Sequence, residues 1–167
     1  MKIPQAVGSI TLPQKLGEEL RERAEERGSL PEELAAEVIF KSLEEELDPA
    51  ELVEHYRLLS EKYLAEAREF WGKGDLVQAS EKLWGAASLA VKMAAAKRGL
   101  KLEKHGSLWG FVSEISKESG DKGIIRAFHV ANALHRNFYE NEMTREAVEV
   151  ALEDIEKLIA KLRGFSS

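Results

Sequence analysis

All four prolines of this chain lie within its first 49 residues, and the stretch from Ala50 to Ser167 contains none. Proline inside a helix removes a backbone hydrogen bond and clashes with the preceding turn. A long proline-free stretch with apolar residues every three to four positions therefore predicts long, uninterrupted helices. We accordingly divide the chain into an N-terminal module, residues 1–47, and a helical part, residues 48–167.

Charge separates the same two parts. Residues 1–47 hold 6 Lys and Arg against 11 Asp and Glu, whereas residues 48–167 hold 18 against 19. The net charge of -6 gives the whole chain no general attraction to nucleic acid or anionic lipid. The absence of cysteine excludes disulfide scaffolds, thiolate metal sites and cysteine nucleophiles. Because no apolar run approaches the roughly 20 residues of a membrane span and the N-terminus has no secretory apolar core, we expect a cytoplasmic protein without membrane contact.

The N-terminal module reads as one strand and two helices. Residues 7–12 alternate in part and are ended by Pro13, which predicts a strand. Leucine and alanine then recur every fourth residue as far as Gly28, which predicts a first helix. The order of residues in Ser29–Glu32 predicts a capping box that starts a second helix, which runs to Leu47.

Residues 48–167 read as five helices in an up-and-down bundle. The predicted helices run from about Leu52 to Gly72, from Asp75 to Gly99, from Ser107 to Gly120, from Ile124 to Phe138, and from Thr144 to Gly164. The second of these has a stripe of mostly alanine, so neighbours can approach it closely, and we expect it to be central. Trp71, Trp84 and Trp109 have helical core spacing and are predicted to be packing residues. The predicted fold class is therefore all-α, preceded by a short strand-helix-helix segment.

The stretch ITLPQKLGEELRERAEERGSLPEELAAEVIFKSLEEEL, with a strand, regular leucine spacing and a glycine between two helices, resembles the ribbon-helix-helix module. The resemblance implies a homodimer in which the strands of two copies pair. DNA-binding members of that family point basic or amide side chains from the strand into the major groove, whereas this strand offers Ser9 and Thr11. We therefore favour an assembly role for this module and keep DNA binding through residues 8–12 as an alternative.

A second resemblance covers roughly Leu52 to Leu162. The segments GDLVQASEKLWGAASLAVKMAAAKRGLKL, KHGSLWGFVSEI and ALHRNFYE together resemble the archaeal PaREP1 proteins, which are assigned to the HEPN superfamily of helical bundles. The resemblance implies a HEPN-like bundle, and the abundance of Glu, Lys and Arg suits the surface of a thermophile protein.

Catalytically active HEPN proteins are metal-independent ribonucleases, and the resemblance implies an arginine followed a few residues later by a histidine. Arg126 departs from the usual spacing, because two residues separate it from His129 and eight separate it from His135. A turn of about 100° per residue also places Arg126 and His135 on opposite faces of a helix. The candidate catalytic residues are His135, Arg126, His129 and Tyr139.

Two further groups of polar residues are candidates for binding. The candidate ligand-binding residues lie on or beside the predicted sixth helix of the chain and are His105, Asn132, His135, Arg136, Asn137 and Tyr139. The candidate phosphate-binding residues surround the end of the alanine-rich helix and are Lys97, Arg98, Lys101 and Lys104. The spacing of the four histidines gives no metal site, and we expect no metal and no cofactor.

These observations lead to a ranked set of functions. The first is a non-enzymatic, homodimeric helical module that binds a partner protein or a small ligand. The alternatives are a metal-independent ribonuclease or nucleotide-binding protein, and a DNA-binding regulator that acts through the N-terminal strand.

Overall fold

The computed structural model describes residues 10–43 and 48–165, which form seven helices and contain no strand. The helices are α1 (Gln14–Glu26), α2 (Pro31–Ser42), α3 (Pro49–Gly72), α4 (Leu76–Lys97), α5 (His105–Ser119), α6 (Gly123–Glu140) and α7 (Arg145–Arg163). The prediction of an all-α body with five helices after residue 48 is confirmed. The strand predicted for residues 7–12 is not seen at residues 10–12, and residues 7–9 lie outside the described residues.

Helix α4 is the centre of the bundle, as its small residues predict. Every residue from Leu83 to Ala96 is buried. Alanine side chains bring the neighbouring backbones close, and α3, α6 and α7 pack directly on α4 while α5 closes one end. Trp84 is 1% exposed, and Trp71 and Trp109 pack partly buried against the same core, so the prediction that the tryptophans are packing residues is confirmed.

Local sequence signals set several helix ends correctly. Asp48, Asp75 and Thr144 each accept a hydrogen bond from a backbone N–H of the following first turn, at 2.9, 3.1 and 3.1 Å. Gly28 follows the end of α1 with φ +65, in the left-handed region that favours glycine.

Three predicted helix ends are wrong or fall outside the described residues. Ser29 does not cap α2, because Leu30 occupies the N-cap position and the Ser29 hydroxyl donates back to the Ala24 carbonyl at 3.5 Å. Ser107 does not cap α5, because that helix already begins at His105. The observed α2 ends at Ser42, and residues 44–47 of its predicted length lie outside the described residues.

Helices α1 and α2 form a hairpin, here called the α1–α2 hairpin (residues 14–42), that lies over one face of α4. Leu30 packs against Gly85, where a Cβ would come within 2.5 Å of the Leu30 Cδ1. The absence of a side chain at Gly85 therefore creates the notch that Leu30 fills. No helix in the described part of the chain is both long enough and apolar enough to cross a bilayer.

Candidate functional site

Two histidines from different helices meet on one tryptophan ring. His105 is the first residue of α5, His135 lies on α6, and Trp84 lies on the buried α4. The ring centroid of Trp84 is 5.1 Å from that of His105 and 4.9 Å from that of His135, and the two imidazoles are 5.6 Å apart. The packing of three helices therefore brings together two candidate ligand-binding residues that are 30 positions apart in the sequence.

Glu81 and Tyr139 complete this group, which we call the histidine cluster (Glu81, Trp84, His105, His135 and Tyr139). The Glu81 Oε2 atom is 3.5 Å from His135 Nδ1, a distance too long for a well-formed hydrogen bond. The Tyr139 ring stands edge-on to His135 with centroids 5.7 Å apart, and its residue is 57% exposed. The cluster thus reaches from the buried α4 to the surface.

Three polar atoms of the cluster are buried without a hydrogen-bond partner. They are Glu81 Oε2, His105 Nε2 and His135 Nδ1. Most buried polar atoms in proteins are hydrogen-bonded, and each exception calls for an explanation such as a bound molecule or a catalytic role. Three exceptions in one place single out this cluster as the candidate site.

Burial also controls protonation at the site. Burial lowers the pKa of His105 below its ordinary value of 6.5, electrostatic interaction with the neighbouring His135 and Lys92 lowers it further, and Glu25 opposes the shift. Burial, with the nearby Glu25 carboxylate, raises the pKa of Tyr139 to about 12. At neutral pH the cluster therefore presents an uncharged imidazole at His105 and a protonated phenol at Tyr139.

Asn137 was a candidate ligand-binding residue, but its amide is used inside the fold. Its Nδ2 donates to the Ser80 hydroxyl at 2.9 Å, and its Oδ1 accepts from the backbone N–H groups of Glu142 and Met143 at 2.8 and 2.9 Å. The side chain is buried and fixes the turn between α6 and α7 against α4. These contacts give Asn137 a structural role.

The two other candidates on α6 lie outside the cluster contacts. Arg136 is exposed and pairs with Glu140 at 3.2 Å, one turn along the same helix. Asn132 is half-buried, one turn before His135.

Arg126 and His129 are not brought to the cluster. Arg126 is exposed and lines a cavity of about 280 Å³ between α6 and α7. His129 is exposed and packs on Trp109, with ring centroids 4.9 Å apart. Of the four candidate catalytic residues, the structure therefore joins His135 and Tyr139 only.

Three of the four candidate phosphate-binding residues contact groups of the chain itself. Lys97 donates to the backbone carbonyls of Arg163 and Phe165, at 3.1 and 3.3 Å, and so ties α4 to the end of α7. Arg98 pairs with the Glu118 carboxylate at 3.1 and 2.8 Å, and Lys101 with Glu37 at 3.1 Å. Lys104 is exposed at the N-cap of α5.

Glu81 is the member of the cluster that sequence reasoning missed. It lies three residues before Trp84 on an amphipathic helix start, where a glutamate is ordinarily a solvated surface residue. Its contact with His135 depends on how α4 and α6 pack, and no local pattern in the sequence signals it. Among residues 10–43 and 48–165, no group of three or more His, Asp or Glu residues is placed to hold a metal ion.

Comparison with known proteins gives a family and a related structure. A protein from Sulfolobus solfataricus with a crystal structure is 31% identical to this chain, with a TM-score of 0.57, and the match covers 63% of this chain and 93% of that one. No curated protein matches the chain. The model of the archaeal PaREP1/PaREP8 family matches residues 55–159, which include every member of the histidine cluster. That match spans more than half of the sequence, and the chain therefore belongs to the archaeal PaREP1/PaREP8 family.

Proposed function

We propose that the protein is a non-enzymatic binding module, a HEPN-like bundle that holds a small planar ligand at the histidine cluster and works as a homodimer. One observation carries the binding part of this proposal. Three buried polar atoms, Glu81 Oε2, His105 Nε2 and His135 Nδ1, lie without hydrogen-bond partners around one tryptophan. A ligand that pairs with these atoms would remove the cost of burying them unsatisfied.

The groups that line the cluster indicate the chemistry of such a ligand. The Glu81 carboxylate accepts hydrogen bonds, whereas a neutral imidazole donates from one nitrogen and accepts at the other. Aromatic rings surround these polar groups. A planar heterocycle with an amino donor and a ring acceptor on one edge, such as a nucleobase, has the matching pattern.

Ligand-observed NMR with adenosine as the probe tests this proposal. We expect weak binding by the full chain, and roughly tenfold weaker binding by His135→Gln and by Glu81→Leu, because each loses about one hydrogen bond. His129→Gln is the matched control, since His129 is exposed and lies outside the cluster. Binding that is equally strong in His135→Gln and in the parent chain would place the adenosine elsewhere and remove the proposal.

The homodimer is supported by the apolar surface of the N-terminal part. Six of the large apolar residues that are exposed in the described chain lie on the α1–α2 hairpin or close to its ends, namely Ile10, Leu12, Leu16, Val38, Ile39 and Leu43. A monomer rarely leaves so much apolar surface in contact with water. The resemblance to a ribbon-helix-helix module supports the same reading, in which a second copy covers this surface.

A metal-independent ribonuclease is the second candidate function. Two imidazoles 5.6 Å apart, one of them with a lowered pKa, have the composition of a general acid and base pair. Incubation of RNA with the protein and with His135→Ala, both in a chelator, tests this candidate, and intact RNA in both samples would eliminate it. DNA binding through residues 8–12 stays a prediction, because residues 8 and 9 lie outside the described residues.

A further inference from the structure

The corner of the α1–α2 hairpin lies directly over the histidine cluster. The backbone of Gly28 is so close to His105 that a Cβ at Gly28 would lie 3.2 Å from the imidazole Cγ. On the same side, the carboxylate of Glu25 interacts with Tyr139. His135, which packs against His105, has 13% of its side chain exposed. The hairpin corner thus packs on His105, whose Nε2 is one of the unpartnered atoms.

Few apolar side chains of the hairpin are buried, and one buried ion pair accompanies them. Ala24, Leu30 and Leu34 are the buried apolar residues of α1, α2 and the turn between them. Lys92 on α4 donates to Glu33 on α2 at 2.8 Å, with side chains only 4% and 9% exposed. The central helix, by contrast, is buried along its length.

The hairpin has further polar contacts with the bundle. Glu32 accepts a hydrogen bond from the buried Tyr63 at 2.6 Å, and the exposed Glu32–Lys62 and Glu37–Lys101 pairs are 3.0 and 3.1 Å long. Exposed ion pairs contribute little, whereas a buried charge that loses its partner is strongly destabilising. The attachment of the hairpin therefore depends chiefly on Leu30 in its notch, on the Lys92–Glu33 pair and on the Tyr63–Glu32 hydrogen bond.

The family model matches the histidine cluster but not the hairpin. Residues 55–159 contain Lys92, Gly85 and the histidine cluster, whereas Glu33 and Leu30 lie outside them. The hairpin therefore lies outside the part of the chain that the family model matches.

We propose that the α1–α2 hairpin is a releasable cover over the histidine cluster, that the Lys92–Glu33 ion pair holds it closed, and that ligand enters when it lifts. This inference rests on the proposed binding function of the cluster. Its consequence is that the strength of the Lys92–Glu33 contact sets how much of the protein is open to ligand at any moment.

Histidine modification by diethyl pyrocarbonate, read residue by residue by mass spectrometry, tests the cover without any ligand. In the full chain with Glu33→Gln, we expect His105 and His135 to react at least about fivefold faster than in the parent chain, since Lys92 loses its charged partner. His129 is exposed in the closed structure and should react at an unchanged rate, which also shows that the bundle is folded. Glu153→Gln, at an exposed position of α7, is the matched control. Unchanged rates at His105 and His135 in Glu33→Gln would overturn the proposal.

A reversible lock provides a second test that does not depend on weakening the fold. The chain has no cysteine, and a Cβ at Gly85 lies 3.5 Å from the Leu30 Cγ, so Leu30→Cys with Gly85→Cys places two thiols within reach of a disulfide. We expect the oxidised protein to protect His105 and to lose adenosine binding, and a reductant to restore both. Equal adenosine binding by the oxidised and the reduced protein would overturn the proposal that the hairpin is a cover, and it would leave the proposed binding function intact. Histidine reactivity that follows the lock, with no adenosine binding in either form, would uphold the cover and remove the proposed ligand.

Discussion

Lys92 and Glu33 are charged residues that the fold buries together, although 59 positions separate them in the sequence. Lysine on a helix is ordinarily a solvated surface residue, so its residue type predicts an exposed position for Lys92. Its burial follows from the docking of α2 on α4, a tertiary contact for which the sequence carries no local signal. The helix starts at Asp75 and Thr144 were predictable because a helix cap is a contact between residues only three positions apart.

The protonation of His105 makes a prediction for stability. Its folded-state pKa is below the ordinary value of 6.5 that applies in the unfolded chain. Between the folded and unfolded pKa values, the unfolded state therefore binds more protons than the folded state. The contribution of His105 to the free energy of unfolding is complete above pH 6.5 and is lost as the pH falls through 6.5 toward the folded pKa. When the pH is lowered from about 7.5 to about 5.5, we expect the free energy of unfolding to fall less in His105→Gln than in the parent chain.

Urea denaturation at these two pH values measures the difference. His129→Gln is the control, because that residue is exposed on α6, and it should retain the pH dependence of the parent chain. The same loss of stability in His105→Gln as in the parent would show that burial of the His105 imidazole does not contribute.

At the scale of the helices, periodicity predicted every element of the bundle, because each helix must bury an apolar stripe. The alanine-rich sequence of α4 identified it as the central helix, since small side chains permit close approach on several sides. The serine caps predicted at Ser29 and Ser107 were wrong because a serine near a helix start does not by itself fix the first turn, whereas the start of α2 at Pro31 agrees with the prediction from Ser29–Glu32. In α2, Pro31 occupies the first helical position and Leu30 the N-cap position. Helix α5 begins at His105, two residues before Ser107.

Gly85 makes a prediction about how α2 and α4 depend on each other. In Gly85→Ala, the new Cβ would meet the end of the Leu30 side chain at 2.5 Å, so the Leu30 side chain must shift away from this contact. Alanine also favours helix over glycine by about 1 kcal/mol. We therefore expect hydrogen exchange of α2 to become faster while exchange of α4 becomes slower or stays the same.

Gly110→Ala is the matched control, because Gly110 lies inside α5 and a Cβ there meets nothing within 4 Å. It should leave the exchange of α2 unchanged. If Gly85→Ala leaves α2 as protected as before, the Leu30 contact does not hold the hairpin.

For the whole molecule, the sequence predicted the all-α body and the PaREP1 family, and it named three of the five members of the histidine cluster as candidate residues. His105, His135 and Tyr139 were candidates because histidine and tyrosine carry usable chemistry wherever they lie. Their meeting on Trp84, with Glu81 beside them, depends on the relative rotation of α4, α5 and α6. Helix geometry already predicted that Arg126 and His135 lie on opposite faces, whereas the separation of His129 from the cluster is seen in the structure.

The proposed homodimer predicts the effect of a truncation. A chain that begins at Asp48 lacks the six exposed apolar residues on the hairpin or close to its ends. We expect light scattering to give a dimer for the full chain and a monomer for the truncated one, with α3–α7 still helical by circular dichroism. A dimer that survives the truncation would move the interface to the bundle, and a monomeric full chain would remove the assembly proposal altogether.

The burial of α4 on all sides has an evolutionary consequence. The face of α4 that carries Gly85, Ser88 and Lys92 is shielded from water by the hairpin, whose sequence lies outside the residues shared with the family. Gain or loss of the hairpin therefore changes which residues that face of α4 tolerates. The hairpin and the residues on this face are expected to change together. A relative without a hairpin is expected to carry a larger or more polar residue at the position of Gly85, so an alignment column would record whether the ancestor of each protein had this face covered.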